Sequence, residues 1–379
     1  MNFETILTNA RLVLHDRVME GTVVLRDGLI FDVSEDRSHA AGAIDLEGDF
    51  LLPGVVDVHT DNLERQVQPR LNARWPSRSA MLAHDAQCAA AGVTTVLDAL
   101  CLGDLGFDKD RLRTFQEGVA DLDALSGSGL LKSEHFLHLR CEMPAVDVLE
   151  LVEPVADHRL VRMISLMDHS PGVGQYADMA RYRQLRRNDG NSEEAIEARI
   201  LELTDQRARM RDANRHALLA RVAGLNIALA SHDDRTEAEI FENHADGIRI
   251  SEFPVTMAAA QAACALGMDV IMGAPNIVRG GSHSGNVSAA AMVRAGAVDA
   301  LASDYVPAAL VEAVFQCVRD TGITLPAAVA MVSENPARMA GLPDRGRIAA
   351  GLRGDVVRVR LWGDLPVVRQ VFRAGERVA

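Results

Sequence analysis

With 379 residues, 48% of them hydrophobic but only 4% aromatic, the chain suits one large α/β barrel plus a small appendage, with a core of Ala, Val, Leu and Ile. A charged fraction of 24% argues against disorder. The formal charge of −14 disfavours nucleic-acid binding through a broad basic face, yet leaves room for an anionic ligand where a local arginine cluster or a metal dominates a cleft.

In chain order, residues 6–14, 21–25, 29–33 and 43–46 read as short strands, with an Arg26-Asp27-Gly28 turn between the second and third. The early Glu4 and Arg11 argue against a signal peptide, and no apolar run reaches the length of a membrane span, so a soluble cytoplasmic protein is expected. Strand and helix patterns then alternate. Strands are expected at 55–59, 94–100, 135–141, 161–167, 226–230, 247–250, 269–272 and 298–301. Helices are expected at 80–91, 108–125 and 193–222, with Ala-rich helices between the later strands. Eight apolar strands separated by helices is the count of a closed (β/α)8 TIM-like barrel, with an open doubly wound sheet as the alternative. The stretch 170–192, with Pro171, Gly172, Gly174 and Gly190, is expected to be a mobile loop; it carries Arg181, Arg183, Arg186 and Arg187. The last thirty residues return to strand patterns at 355–361 and 367–373. The expected division is therefore a small β-sandwich from 1–52 and 345–379 around a barrel of 53–344. The five cysteines (Cys88, Cys101, Cys141, Cys264 and Cys317) are scattered and lack any CxxC, which argues against a disulfide framework or a thiolate zinc site.

Polar residues recur where these apolar strands end. His59 and Asp61 follow the first, Glu142 the third, His169 the fourth, His232 the fifth and Asp304 the eighth. A lone strand-end His is more often a satisfied structural histidine, and a lone Asp or Glu more often a cap or turn residue. The joint pattern is different, because a barrel brings the C-terminal ends of all its strands to one face. Imidazoles and carboxylates gathered there suit zinc, with manganese or iron as alternatives, as one ion or two. Glu142 could bridge two ions. Asp304 could also take a proton from water, or merely fix a neighbouring His.

Several other groups belong to the same end. Period-two spacing puts His138, Arg140 and Glu142 on one side of a strand, so an inward-facing Arg140 needs an anion, either Glu142 or a ligand. The loop Val278-Arg279-Gly280-Gly281-Ser282-His283-Ser284-Gly285-Asn286 can cradle a phosphate with its backbone N–H groups, or be an ordinary strand-to-helix connection. Arg65, Arg70, Arg74 and Arg78 crowd the segment after the first strand, where anion capture competes with simple solvation. Asn62 and Glu64 are candidates to cap that turn. The charge run of 193–222 reads as a solvated helix face.

Pro53-Gly54-Val55-Val56-Asp57-Val58-His59-Thr60-Asp61 resembles the first-strand signature of the amidohydrolase superfamily, with Asp61 where the usual pattern has a second His. Glu334-Asn335-Pro336-Ala337-Arg338 through Gly346-Arg347-Ile348 and Asp355-Val356-Val357 resembles the same superfamily's return to its sandwich. A narrower resemblance is carried by His59-Thr60-Asp61-Asn62, His138-Leu139-Arg140-Cys141-Glu142, Asp168-His169-Ser170-Pro171-Gly172, Ser231-His232-Asp233-Asp234, Ser251-Glu252-Phe253-Pro254, Gly273-Ala274-Pro275-Asn276, the 278–286 loop and Ser303-Asp304-Tyr305. These are similar to the alpha-D-ribose 1-methylphosphonate 5-triphosphate diphosphatase family of the carbon–phosphorus lyase pathway, in which Asp61 is no departure.

The resemblance implies a divalent-metal hydrolase, zinc first, releasing pyrophosphate from a ribosyl triphosphate in phosphonate catabolism. It implies metal ligation by His59, Asp61, Glu142, His169, His232 and Asp304, with Glu142 standing where relatives use a carboxylated lysine. Catalytic roles would fall to Asp304, Arg140 and His283, and substrate contacts to Arg70, Arg279, Ser282, Asn276 and Asn62. The implied partner is a small phosphorylated sugar, with neither nucleic acid nor membrane, on a homo-oligomeric protein. Two other readings stand beside it: a C–N hydrolase such as a purine deaminase or cyclic amidase, and a metal-free assembly protein of the same scaffold.

Overall fold

The computed structural model describes residues 4–70, 72–103, 105–106, 109–282 and 285–379. His283, expected to act in catalysis, lies outside the described residues.

Five strands open the chain: β1 (Glu4–Val13), β2 (Val18–Arg26), β3 (Leu29–Ser34), β4 (Ile44–Asp45) and β5 (Phe50–Pro53). Eight follow in the middle: β6 (Val55–Thr60), β7 (Val93–Leu102), β8 (Glu134–Glu142), β9 (Val161–Met167), β10 (Ala228–His232), β11 (Ile250–Glu252), β12 (Asp269–Gly273) and β13 (Ala300–Ala302). Three close it: β14 (Val356–Trp362), β15 (Leu365–Arg373) and β16 (Glu376–Arg377).

The middle strands pair in chain order from β6 to β13, every pair parallel. Helices return the chain between them, and every described residue of β6, β7 and β12's centre is buried, as continuous Val/Ile/Leu runs between two covered faces require. The ring is drawn shut where Thr60 bridges Asp304 in parallel and the Asp304 N–H donates to the His59 carbonyl at 3.0 Å. Asp57, fully buried, reinforces that seam by accepting from the backbone N–H of Ser303 at 3.0 Å. The fold is thus a (β/α)8 barrel.

The two chain ends meet in a second sheet of order β16-β15-β14-β5-β1-β2-β3, with β4 on β1. It folds back on itself, since Leu29 of β3 bridges Arg353 just before β14. A separate apolar cluster fills it, including Leu7, Leu12, Val23, Leu51 and Phe372. Arg345 and Arg353 both reach Glu134 at the start of β8, tying this sheet to the barrel.

The segment expected to be a loop at 170–192 contains a helix, Met179–Asn188. Asp178 caps it by accepting from the N–H groups of Ala180 and Arg181. No apolar period announces it, because only Tyr182 is buried and Arg183 and Arg187 pair with the acids Glu197 and Glu193. The following helix, Glu193–Val222, spans the 193–222 expected from the charge run, with Ser192 as its N-cap and Glu193 and Glu194 in its first turn. Among the described residues no helix is long and apolar enough to cross a membrane.

Candidate metal centre

The C-terminal ends of the barrel strands enclose a cavity of about 480 Å³. His59, Asp61, Glu142, His169, His232 and Asp304 all line it, so the fold brings the six expected ligands together. They separate into two groups. His59, Asp61 and Asp304 offer ligand atoms within 4.8 Å of one another, and so do His169, His232 and Asp233.

Asp233, absent from the expected set, completes the second group. Its Oδ2 lies 3.8 Å from His169 Nε2 and 3.9 Å from His232 Nε2, buried and without a hydrogen-bond partner. The backbone at Asp233 (φ +58°), Phe253 (φ +55°) and Asp304 (φ +56°) is left-handed. These three positions stand just past β10, β11 and β13, so the chain turns sharply where it presents Asp233, Phe253 and Asp304 to the cavity. Such strain, on the order of 1 kcal/mol each, persists only where surrounding structure imposes it.

Beneath the ligands lies Glu252, also outside the expected set and fully buried. It accepts from His59 Nδ1 at 2.7 Å, His232 Nδ1 at 2.7 Å and Ser165 Oγ at 2.9 Å. With Nδ1 of both rings held as donor, each Nε2 is directed to the cavity, the arrangement that outer carboxylates impose on ligating histidines. Burial disfavours a charge on His59, but Glu252 outweighs it and lifts the imidazole to about 10. A cation at Nε2 would take the place of that proton. His59 Nε2 in the first group and Asp233 Oδ2 in the second are each buried without a hydrogen-bond partner, so each group holds a donor atom of the kind a divalent ion takes. The residues fit the metal.

Glu142 meets His169 through both carboxylate oxygens. Its Oε1 accepts from the His169 backbone N–H at 2.8 Å and its Oε2 from His169 Nδ1 at 2.7 Å, so both oxygens orient one histidine. Arg140 is buried and finds its anion in Asp61, at 2.6 Å, rather than in Glu142. Burial pushes the Asp61 carboxyl up, but Arg140 outweighs it and holds the group below the usual carboxylate range. Burial and the neighbouring Asp61 charge raise Asp304 to about 6. His138 faces the same interior but is used structurally, between the Val58 carbonyl and Ser165, and burial lowers it to about 4.

Of the expected substrate contacts, Arg279, Ser282 and Asn276 line the cavity. The Asn276 amide braces the loop beside it, donating to the Val287 carbonyl and accepting from the Ala289 N–H. Asn62 and Arg70 do not line it. Asn62 is turned behind the barrel wall and donates to His84 Nδ1 at 2.9 Å, while Arg70 is exposed. Its neighbours Arg74 and Arg78 pair with Glu117 and Asp121, because the adjacent helix Lys109–Leu125 presents those acids. Two arginines the sequence reading left out of the substrate contacts, Arg111 and Arg186, reach the cavity instead.

No family model matches the chain. Among curated proteins it is 42% identical to alpha-D-ribose 1-methylphosphonate 5-triphosphate diphosphatase of Escherichia coli (strain K12), over 98% of this chain and 100% of that protein. An L-hydantoinase of Paenarthrobacter aurescens is 32% identical over 25% of this chain and 20% of its own length. Among solved structures, N-acetyl-D-glucosamine-6-phosphate deacetylase of Mycobacterium smegmatis superposes with a TM-score of 0.65 at 17% identity, covering 99% of both chains. Dihydropyrimidinase of Brevibacillus agri NCHU1002 gives 0.62 at 14% identity, over 99% of this chain and 95% of the other. The chain belongs to the alpha-D-ribose 1-methylphosphonate 5-triphosphate diphosphatase family.

Proposed function

We propose that this protein hydrolyses alpha-D-ribose 1-methylphosphonate 5-triphosphate to the 5-phosphate and pyrophosphate. The observation that carries the reading is a single cavity holding two clusters of metal-capable side chains together with the guanidiniums of Arg111, Arg140, Arg186 and Arg279. A neutral cyclic amide needs no such density of arginines, whereas a triphosphate does. The full-length likeness to a diphosphatase points the same way, and the hydantoinase likeness covers only a quarter of the chain.

His59, Asp61 and Asp304 would hold one divalent cation, and His169, His232 and Asp233 a second, with zinc the ion that this imidazole–carboxylate set suits best. Bound there, such ions supply Lewis acidity toward water and phosphoryl oxygen. Glu252 fixes both His59 and His232 as Nε2 ligands, and Glu142 fixes His169. Asp304 takes the proton of the attacking water at its carboxylate, and the anhydride bond to the pyrophosphate breaks as the new P–O bond forms. Arg140, already in the barrel wall, and Arg279 offset charge on the phosphoryl oxygens.

The test is to incubate the metal-loaded protein with the ribosyl 1-methylphosphonate 5-triphosphate and assay pyrophosphate and ammonia. Pyrophosphate release that EDTA abolishes and zinc restores is expected. Zinc-loaded protein that releases none would overturn the reading in favour of C–N hydrolysis.

A further inference from the structure

We infer that Arg111 and Arg186, with the face of Tyr176 between them and the metal-ligand clusters, form the pocket for the departing pyrophosphate, while the opposite wall at Arg279 and Tyr305 receives the phosphonate sugar. The inference rests on the diphosphatase reading and adds to it the direction in which the substrate lies.

Four guanidiniums line the cavity, but they are not equivalent. Arg140 is bound to Asp61 at 2.6 Å and belongs to the floor. Arg279 is exposed and stands within 3.5 Å of the Tyr305 hydroxyl, on the loop that follows β12. Arg111 and Arg186 come from two helices outside the strand ring, Lys109–Leu125 and Met179–Asn188. Both line the cavity together with Tyr176, and the Arg186 guanidinium lies over that ring. Arg111 follows β7 and Arg186 follows β9, on either side of β8 in the strand order, so the two flank one wall.

That wall is continuous with the ligand clusters. The Tyr176 ring meets His169 edge-on at 6.0 Å between centroids and Tyr182 at 5.6 Å. The Arg186 guanidinium lies over Tyr182 at 5.3 Å and over Tyr176 at 5.9 Å, steadied by Asp189 at 3.0 Å. Two rings within cation–π range and one carboxylate restrain the Arg186 side chain, and a restrained guanidinium fork can pair bidentately with a phosphate. Arg111 contributes a buried Nε without a hydrogen-bond partner, 3.5 Å from Glu64. Of the four arginines in the 170–192 stretch, Arg183 and Arg187 pair with Glu197 and Glu193, and only Arg186 lines the cavity.

Charge then sets the direction. The two terminal phosphates carry more negative charge than the methylphosphonate monoester, and two guanidiniums beside a metal-ligand cluster match them better than one exposed arginine. The Arg279 wall, with Ser282, Asn286 and the Tyr305 ring, offers the neutral donors that a pentose needs.

The experiment is calorimetric binding of inorganic pyrophosphate, and separately of the ribosyl 1-methylphosphonate 5-phosphate product, to zinc-loaded wild type, R111Q, R186Q, R186K and R279Q. R111Q and R186Q are expected to weaken pyrophosphate about tenfold or more while moving the sugar product less than about threefold, and R279Q to do the reverse. R186K is expected to recover part of the loss, since it keeps charge but not the planar fork. Zinc content equal to wild type establishes that each variant has folded its centre. If R279Q alone weakens pyrophosphate, or if all variants weaken both products equally, the assignment is overturned. Because binding is read without turnover, failure here is distinct from an absence of pyrophosphate release by the wild type.

Discussion

At the scale of single residues, the centre depends on acids that hold histidines as much as on the ligands themselves. Glu252 accepts from two rings and a serine while fully buried, and no other described residue engages both His59 and His232 so closely. Glu252→Gln places an amide donor against one ring N–H and should weaken zinc binding by about 10–100-fold, measured by titrating the metal-free variant. Unchanged affinity would remove Glu252 from the centre. Asp233→Asn leaves the fold's turn intact, since Asn also tolerates a left-handed backbone, but removes the charge beside His169 and His232. Reduced zinc content by elemental analysis, with an unaltered circular dichroism spectrum, is the expected outcome. Both residues stand in motifs that carry the family resemblance, yet the sequence reading gives neither a role. The fifth and sixth strands were expected to end at 230 and 250, whereas β10 and β11 run on to His232 and Glu252, and the two-residue shift left each acid looking like ordinary loop.

At the scale of elements, the barrel was legible because its strands are buried on both faces and read as unbroken apolar runs. β9 coincides with the expected 161–167, and the 193–222 helix is legible as a charge run. What escaped were elements with little apolar surface, above all the helix Met179–Asn188 that brings Arg186 to the cavity. Misreading that helix as loop hid one arginine, and the crowd near Arg70 drew attention to the wrong side of the first strand. Connections also matter where they are tight. Gly103 follows β7 with φ +95°, and a Cβ there would stand 2.6 Å from that of Ala145 and 3.1 Å from that of Glu142. Gly103→Ala should therefore cost about 1–3 kcal/mol in urea denaturation and displace Glu142, loosening its grip on His169. Full stability with wild-type zinc affinity would contradict the role given to this turn.

At the scale of the whole molecule, the ring of strands is buttressed by a polar cluster between the barrel wall and the helix Ser77–Ala90. His135 of β8 reaches Asp98 of β7 with Nδ1 at 2.8 Å and Asp85 of that helix with Nε2 at 3.1 Å. Asn62 donates to His84 Nδ1, so His84 donates from Nε2 to Asp98 at 2.7 Å and needs no charge of its own. His135, facing a carboxylate at each nitrogen, is the imidazolium of the set. Burial disfavours its charge, but Asp98 and Asp85 outweigh that and carry it to about 9. The folded value thus lies above the unfolded one, near 6.5. Its stabilisation is fully present below pH 6.5 and is lost as pH rises through about 9. The loss is on the order of 3 kcal/mol. Urea unfolding of wild type and His135→Gln at saturating zinc should show a stability gap that narrows across that window, the zinc contribution cancelling in the difference. A gap that stays constant throughout would mean that His135 is neutral in the folded protein, and that one of its two carboxylates carries the proton instead.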